Sequence, residues 1–526
     1  MNDIKINKEE EKEIVKARFK IPPLIFVLFI LFTLNALVTL IVGIALEVIS
    51  MNDSNYYGDL HSSNIFLISV CLLFCGCAVG NQGGSKLPND NQGGTQSPDD
   101  NQGGSDNQPA EKAEISIVEN DYSLGVGITK MLEIEYKNVK TPIFESDNSD
   151  IVSVSSDGEI SGKATGKAKI TVRADSSVKE GEEVKAEINV SVNPSGYDTL
   201  KGDETAVKWL GRTFYYENAV NCYNTASGFE IIFYGTKVSA VFVSAGNKTP
   251  QICVMVDGKP SSSGRIIDLA KTKSEKEYVL AEGLTYGRHT LRVCKITEAY
   301  TSSMGVKSIS TDGYLSDNFK TKIKTEFYGD SITTGHNNTR KSDAEEPEST
   351  DKVQNGCLTY AYLAAQSLNA DISVSACAGI GLYSAWGNNF VLKNNYKKTY
   401  LAEYDFLYGG INPQWNFEKY VPDFVIINIG TNDVWYDWKK DEYEKDLKKF
   451  IEDIFVLYGE NTKIVLAGGM MVTDNLPVCN SIAKSYKNVY TLQLPSSTAG
   501  HPRIDDNKGA AVVLANYIEK LIAKNQ

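Results

Sequence analysis

The sequence predicts a multidomain protein in which two all-β domains precede a three-layer α/β/α domain with a parallel sheet. The chain has 526 residues, which corresponds to about three domains at the usual 100–200 residues each. Short apolar runs between Gly, Asn, Asp and Ser turns fill the region from about 113 to 315, as in all-β domains. From about 321, almost wholly apolar strands alternate with helical patterns, which indicates a parallel sheet buried on both faces.

The composition excludes several classes of function. Hydrophobic residues at 42% and charged residues at 23% are ordinary globular values, so the chain is neither wholly disordered nor fibrous. The net charge is −13 and no basic patch stands out, so we expect no nucleic-acid partner. The chain has only four histidines, and its nine cysteines show no CxxC pair with zinc spacing. We therefore expect no metal site.

Residues 1–80 resemble a membrane or lipoprotein signal region. Residues 24–46 are 23 uncharged, mostly apolar positions, long enough to span a bilayer, and basic residues precede them. A shorter apolar run at 65–78 fits a signal-peptide core, and Gly-Cys77 near its end resembles a bacterial lipoprotein cleavage site. Cys77 is therefore the candidate lipid anchor, and a transmembrane anchor is the alternative.

Translation could start at Met1 or at Met51, and both starts retain the second apolar run. The rival interpretation is a hairpin of two membrane segments that returns the rest of the chain to the cytoplasm. We expect export instead, because the second run is short and a polar tether follows it. The predicted location is extracytoplasmic, at a bacterial cell surface, with the protein held at the membrane.

Residues 81–112 predict a low-complexity linker, in which NQGG recurs at 81, 91 and 101. Segments rich in Gly, Asn, Gln and Pro cannot bury a core and act as flexible spacers. We expect this linker to hold the following domains away from the membrane or cell wall.

Residues 113–195 predict an all-β domain, with polar and apolar residues alternating on both sides of an Asp157-Gly158 turn. The segment resembles the group 2 bacterial Ig-like domain, whose G-x-[IV]-x-G turn and G-x-A-x-I-T strand recur here. The matching residues are Gly158, Ile160, Gly162, Gly166, Ala168 and Ile170. This resemblance implies a spacer or a module for cell-surface contacts.

Residues 204–318 predict a β-sandwich, jelly-roll-like domain, because strand-like runs follow one another without helical periodicity. The runs are FEIIFYG, VSAVFVSA, QICVMVDG and HTLRVCKITEA. His289 alternates with apolar residues in the last run, and we interpret it as a structural residue.

Residues 321–526 predict the α/β/α domain. Its strands are IKTEFYG, DISVSACAG, DFVIINIG, KIVLAGG and NVYTLQL, and its helices lie near 357–369, 440–458 and 508–524. The carboxyl ends of parallel strands meet at one edge of a sheet, so we expect the functional site there.

Four short blocks follow strands of this domain and predict acyl-transfer chemistry. Ser331, in Gly-Asp-Ser, follows the first strand, while Gly379 and Asn432 follow two others. The backbone N–H groups of Ser331 and Gly379 and the Asn432 amide could stabilise an oxyanion. His501, between the last strand and the last helix, could act as the base for Ser331.

These ordered blocks resemble the SGNH (GDSL-type) hydrolases, and the preceding β-sandwich makes carbohydrate esterase family 2 the closer match. Lys295-Ile-Thr-Glu298 resembles the end of that family's N-terminal domain. The resemblance implies a serine esterase that removes acetyl groups from cell-wall polysaccharides such as acetylated xylan or glucomannan. It implies Ser331 as nucleophile, His501 as base, and no metal or organic cofactor.

Thr498 stands where the family usually has an Asp, three residues before the histidine. A threonine cannot carry the charge that steadies an imidazolium. The resemblance therefore implies a Ser-His dyad, and we expect a backbone carbonyl of the 496–500 loop to orient His501. Asp505 and Asp506 are the alternative acceptors.

The remaining candidates are aromatic and sulfur-containing side chains. Trp386, Trp415, Trp435 and Trp438 lie in or near loops of the α/β/α domain. Aromatic faces suit sugar rings, and Trp435 and Trp386 are the candidate substrate contacts, although loop packing explains such residues equally well. We expect His336 on the helix after Ser331 and exposed at the surface, with contact at the mouth of the site as the alternative. The six cysteines outside the signal region are expected to be buried free thiols.

Two rival functions stay open at this point. One is a general short-chain or lipid esterase of the same superfamily, which preference for longer acyl chains would reveal. The other is a non-catalytic surface protein that binds polysaccharide or mediates adhesion, which only Thr498 favours.

Overall fold

The computed structural model describes residues 111–320, 322–341, 353–387, 390–497 and 500–524. The predicted anchor region, with Cys77, and almost all of the predicted linker lie outside them. Among the described helices, none is both long and apolar enough to cross a membrane.

The first domain has the predicted Ig-like, all-β architecture. Its strands are β1 (Glu114–Ile117), β2 (Asp121–Gly125), β3 (Thr129–Met131), β4 (Ile134–Lys137), β5 (Ile143–Ser146), β6 (Val152–Val154), β7 (Glu159–Gly162), β8 (Gly166–Asp175) and β9 (Glu183–Asn193). A four-stranded sheet of order β2-β9-β8-β5 faces a three-stranded sheet of order β3-β7-β6, and β1 pairs with β4. Alternate residues such as Ile170 and Val172 point into a core that belongs to this domain alone.

The second domain is the predicted β-sandwich. Its strands are β10 (Gly196–Tyr197), β11 (Lys208–Leu210), β12 (Phe214–Tyr216), β13 (Ala219–Asn221), β14 (Gly228–Gly235), β15 (Val238–Gly246), β16 (Gln251–Val256), β17 (Arg265–Asp268), β18 (Lys276–Ala281), β19 (Gly287–Lys295), β20 (Ser302–Thr311) and β21 (Tyr314–Ser316). One sheet runs β12-β13-β20-β15-β18 with β10 beside β20, and the other runs β11-β14-β19-β16-β17 with β21 beside β14. His289 is structural, as predicted: its ring nitrogens lie 2.8 Å from Asp257 Oδ2 and 2.7 Å from the Thr285 carbonyl oxygen.

The third domain is the predicted α/β/α layer structure. Its elements are β22 (Lys324–Gly329), α1 (Ser331–Thr334), α2 (Tyr360–Ser367), β23 (Asp371–Ala376), α3 (Leu392–Asn395), β24 (Phe424–Asn428), α4 (Thr431–Asp437), α5 (Lys440–Tyr458), β25 (Lys463–Gly468), α6 (Leu476–Ala483), β26 (Val489–Gln493) and α7 (Ile504–Ala523). The five strands are parallel, in the order β23-β22-β24-β25-β26. The order reverses between β22 and β24, which is where ligands bind in open α/β sheets.

The second and third domains share one hydrophobic core. Leu210 and Ile296 of the sandwich pack in the same cluster as Phe327 and Leu514 of the α/β/α domain. The cluster also contains Cys253, Cys294 and Cys357. All six cysteines of the described region are free and buried, as predicted.

A buried ion pair also joins these two domains. Arg212 of the sandwich and Glu326 of β22 are both fully buried, with 3.1 Å between Nε and Oε1. The same guanidinium donates to the carbonyl oxygens of Tyr396 (2.7 Å) and Lys398 (2.8 Å) and to the Tyr328 hydroxyl. Because the charge is paired and its donors are satisfied, it can remain buried.

The Ig-like domain contacts the sandwich through a small patch. The Tyr314 hydroxyl donates to the Ser123 carbonyl oxygen at 3.0 Å, and the Tyr314 ring stacks on Tyr234 with 4.7 Å between centroids. Gly125 lies against the same ring so closely that a Cβ there would be 2.7 Å from the Cβ of Tyr314. A small residue at 125 is what allows this contact.

Candidate active site

The predicted blocks meet at the point where the strand order reverses. Ser331 begins α1 directly after β22, Gly379 follows β23, and Asn432 lies in the first turn of α4, after β24. With His501, they line one cleft of about 360 Å³. The position of this cleft is the one predicted from the carboxyl ends of parallel strands.

Ser331 is held at the start of a one-turn helix. Asp330 caps that helix, because its Oδ1 accepts from the Ile332 N–H at 2.9 Å. Complete burial raises the pKa of Asp330 to about 7. The Ser331 hydroxyl lies 2.9 Å from His501 Nε2, which is the distance expected of a nucleophile and its general base.

Three hydrogen-bond donors line the cleft at or beside Ser331 and could stabilise an oxyanion there. Gly379 has a φ of +80°, a left-handed conformation that glycine adopts without strain. Within the described part of the chain, the N–H groups of Ser331 and Gly379 have no hydrogen-bond acceptor. Asn432 Nδ2 donates to the Ile380 carbonyl oxygen at 2.8 Å, which fixes the amide and leaves its second hydrogen for a ligand.

Asp433 is a functional residue whose role the sequence did not indicate. Its carboxylate accepts the N–H groups of Leu382 (2.7 Å), Tyr383 (2.9 Å) and Ser384 (3.0 Å), so it fixes the loop after Gly379. Burial raises the pKa of Asp433. The GTND block contains it, but only the structure shows what it binds.

His501 sits in the loop before α7, which begins at Ile504 rather than near 508 as predicted. Asn507 anchors that loop: its Nδ2 donates to the Pro502 carbonyl oxygen at 3.0 Å, and its Oδ1 accepts from the Tyr360 N–H at 2.7 Å. The pKa of His501 is lowered to about 4, and burial is the largest cause of this shift. The imidazole is therefore neutral, as a base must be, at ordinary pH.

The third catalytic position stays a prediction. Thr498 lies outside the described residues, as does its neighbour Ala499. Among the described residues, no carboxylate lies within 4.0 Å of a His501 ring nitrogen. Asp506 instead accepts from the Arg503 N–H at 3.0 Å, and Asp505 pairs with Lys508 at 3.0 Å.

The helical position expected for His336 was wrong, whereas the alternative, contact with the site, is what the structure shows. The helix that begins at Ser331 ends at Thr334, and Gly335 terminates it with a φ of +80°. His336 therefore lies beyond the helix, and its half-buried ring faces His501 in the cleft with 5.0 Å between centroids. Short turns after a nucleophilic serine resemble helix starts in sequence, which explains the error.

Two of the four tryptophans line the cleft. Trp386 and Trp435 are 62% and 51% exposed there, and Tyr436 beside them is 50% exposed. Trp415 is buried, and Trp438 packs on Tyr443 with 5.2 Å between ring centroids. The cleft thus combines a serine, a base, oxyanion donors and open aromatic faces, which is the arrangement of an SGNH-type hydrolase.

Comparison with known proteins identifies all three domains. Residues 114–186 match Bacterial Ig-like domain (group 2), residues 209–315 match Carbohydrate esterase 2 N-terminal, and residues 326–489 match GDSL-like Lipase/Acylhydrolase. Residues 209–489 therefore combine a domain like the N-terminal domain of carbohydrate esterase family 2 with a GDSL-like (SGNH) hydrolase domain, and an Ig-like domain precedes them.

Individual relatives agree with this assignment. The chain is 30% identical over 295 residues to a cellulase/esterase of Acetivibrio thermocellus, covering 54% of this chain and 34% of that protein. It is 26% identical over 246 residues to an acetylxylan esterase / glucomannan deacetylase of Cellvibrio japonicus, covering 45% and 64%. It therefore spans less than two thirds of each of these curated relatives. A structure of a family two carbohydrate esterase from Clostridium thermocellum in complex with cellohexaose is 26% identical, with a TM-score of 0.53, over 60% of this chain and 99% of that one.

Proposed function

We propose that the protein is a serine carbohydrate esterase that removes acetyl groups from cell-wall polysaccharides, with acetylated xylan or glucomannan as the substrate class. The observation that carries the proposal is the 2.9 Å contact between Ser331 Oγ and His501 Nε2 beside three oxyanion donors. Named relatives support the substrate class, since one is an acetylxylan esterase / glucomannan deacetylase. The open faces of Trp386 and Trp435 suit sugar rings.

The reaction follows from the positions of these groups. His501 takes the Ser331 proton as the oxygen attacks the acetyl carbonyl carbon, and the N–H groups of Ser331 and Gly379 and the Asn432 amide stabilise the oxyanion. His501 then donates that proton to the departing sugar hydroxyl, which leaves acetyl-Ser331. A water deprotonated by His501 attacks the carbonyl carbon of this ester, His501 returns the proton to the departing Ser331 oxygen, and acetate leaves. No step requires a metal or an organic cofactor.

Replacing the nucleophile tests the proposal. Ser331→Ala should abolish hydrolysis of an aryl acetate and release of acetate from acetylated xylan, with an unchanged circular dichroism spectrum. Ser375→Ala is the matched control, because Ser375 is a buried serine of β23 that does not line the cleft. Full activity in Ser331→Ala would overturn the assignment. Faster hydrolysis of long-chain aryl esters than of acetates would favour the lipid-esterase alternative.

The location of the enzyme is proposed from sequence alone. The apolar runs at 24–46 and 65–78 and the Gly-Cys77 site support export and a lipid anchor at Cys77. The Ig-like domain would then hold the enzyme away from the membrane or contact the cell surface. Cys77→Ala should release or misprocess the protein. Unchanged membrane retention in that variant would instead support anchoring by 24–46.

A further inference from the structure

A carboxylate from the sandwich domain enters the cleft of the α/β/α domain. Glu298 lies between β19 and β20, its side chain is 2% exposed, and it lines the same cleft as Ser331 and His501. Its backbone is fixed as well: its carbonyl oxygen accepts from buried Lys295 Nζ at 3.1 Å and from the Thr301 N–H at 3.2 Å. The carboxylate is therefore held in one place.

One oxygen of this carboxylate acts on the oxyanion site. Glu298 Oε2 accepts from the Ala378 N–H at 2.9 Å, and Ala378 directly precedes Gly379. On the other side, the Gly379 carbonyl oxygen accepts from the Trp386 N–H at 2.8 Å. Gly379 has a wide range of backbone conformations available, so these two bonds, together with those that Asp433 makes to the following loop, help to fix the direction of its N–H. One of the two comes from another domain.

The same carboxylate acts electrostatically on His501. Among the described residues, the charged or titratable groups that influence the pKa of His501 are His336, Arg340 and Glu298, and Glu298 is the acidic one. Glu298 Oε1 lies 3.8 Å from His336 Nδ1, and the His336 ring faces His501. Burial, His336 and Arg340 lower the pKa of His501, whereas Glu298 raises it. A positive imidazolium forms whenever the serine proton is transferred.

We propose that Glu298 is a positioning residue of the esterase reaction, which aligns the Gly379 N–H with the oxyanion and places a negative charge near the imidazolium of His501. This inference rests on the proposed function. It makes the sandwich domain a part of the catalytic machinery, although the sandwich supplies neither the nucleophile nor the base.

Two substitutions in the full chain separate the two effects. Glu298→Gln keeps an oxygen that can accept from the Ala378 N–H but removes the charge, whereas Glu298→Ala removes both. Asp257→Asn is the matched control, because Asp257 also accepts a backbone N–H (Thr290, 2.9 Å) and contacts a histidine, but outside the cleft. The kinetic constants kcat and KM for an aryl acetate are measured between pH 3.5 and 9, with circular dichroism as the folding check.

We expect kcat to fall about 10²-fold in Glu298→Ala with KM nearly unchanged, because a misaligned oxyanion donor affects the transition state. Glu298→Gln should recover most of that loss, and the acid limb of its kcat/KM profile should move to lower pH. Asp257→Asn should match the wild type.

A folded Glu298→Ala with wild-type kcat overturns the alignment role, and an unmoved acid limb in Glu298→Gln overturns the charge role. Should Glu298→Ala not fold, Glu298→Met replaces it in the alignment test, because Met keeps the side-chain volume but has no oxygen for the Ala378 N–H, and Glu298→Gln still tests the charge. Ser331→Ala tests the proposed function independently of these outcomes.

Discussion

The Ig-like domain and the β-sandwich have similar sequence patterns, but only the sandwich shares a hydrophobic core with the hydrolase domain. Both are all-β, and both precede the parallel sheet. The Ig-like domain keeps its own core and places its ion pairs at the surface, as between Arg173 and Glu145. The sandwich shares a core with the hydrolase domain, pairs Arg212 with Glu326 in the interior and places Glu298 in the cleft.

This difference shows that a domain boundary visible in the sequence does not indicate whether the domain packs separately from its neighbour. Turn residues and alternating polarity indicate where the strands of a sheet begin and end, but they do not indicate which face of the sheet packs against another domain. The Ig-like domain is an appended unit, whereas the sandwich and hydrolase domains share one core and one cleft. The first and the last of three predictions test that distinction.

The largest expected effect is on stability. Arg212→Ala leaves the Glu326 carboxylate buried without its partner, so the free energy of unfolding should fall by about 3–5 kcal/mol. Arg173→Ala should cost under about 1 kcal/mol, because its pair with Glu145 is 38% and 57% exposed. Urea unfolding of both variants measures the contrast. Equal losses in the two variants would contradict the distinction between the two regions.

The second prediction concerns the pH dependence of activity and rests on the difference in pKa between His289 and His501. Bonds to the Thr285 carbonyl oxygen and to Asp257 raise the pKa of His289, whereas burial in the cleft lowers that of His501 to about 4. Because the base must be neutral, activity should be lost only as the pH falls through about 4. The acid limb of kcat/KM, which reports the free enzyme, measures this. An acid limb near pH 6.5 would mean that His501 behaves as an ordinary exposed histidine.

The smallest effect is expected from removing the Ig-like domain. Deleting residues 111–193 removes the hydrogen bond from the Tyr314 hydroxyl to the Ser123 carbonyl oxygen, which lies outside the cleft, so kcat/KM for an aryl acetate should stay within about twofold of the wild-type value. The Tyr314→Phe variant, which loses a single hydrogen bond, is the mild comparison. A tenfold loss of kcat/KM after the deletion would show that this domain, too, supports the cleft.

Much of the fold could be predicted from sequence because its signals are local. The five apolar runs of the hydrolase domain are the five parallel strands, and Ser331, Gly379, Asn432 and His501 converge because parallel strands end at one edge. The contacts of Glu298 could not be predicted, since they join residues about 80 positions apart in different domains. His336 was misplaced because a one-turn helix and a long one begin with the same residues.

The shared core also has a consequence for how the chain is made. Leu210 is synthesised about 300 residues before Leu514, yet both side chains belong to one cluster that α7 completes. Until α7 has been synthesised, the cluster that contains Leu210 lacks the apolar face of this helix, which packs on α2. Contacts so distant in sequence close slowly and leave aggregation-prone intermediates. Truncations that remove α7 should therefore be recovered as insoluble protein.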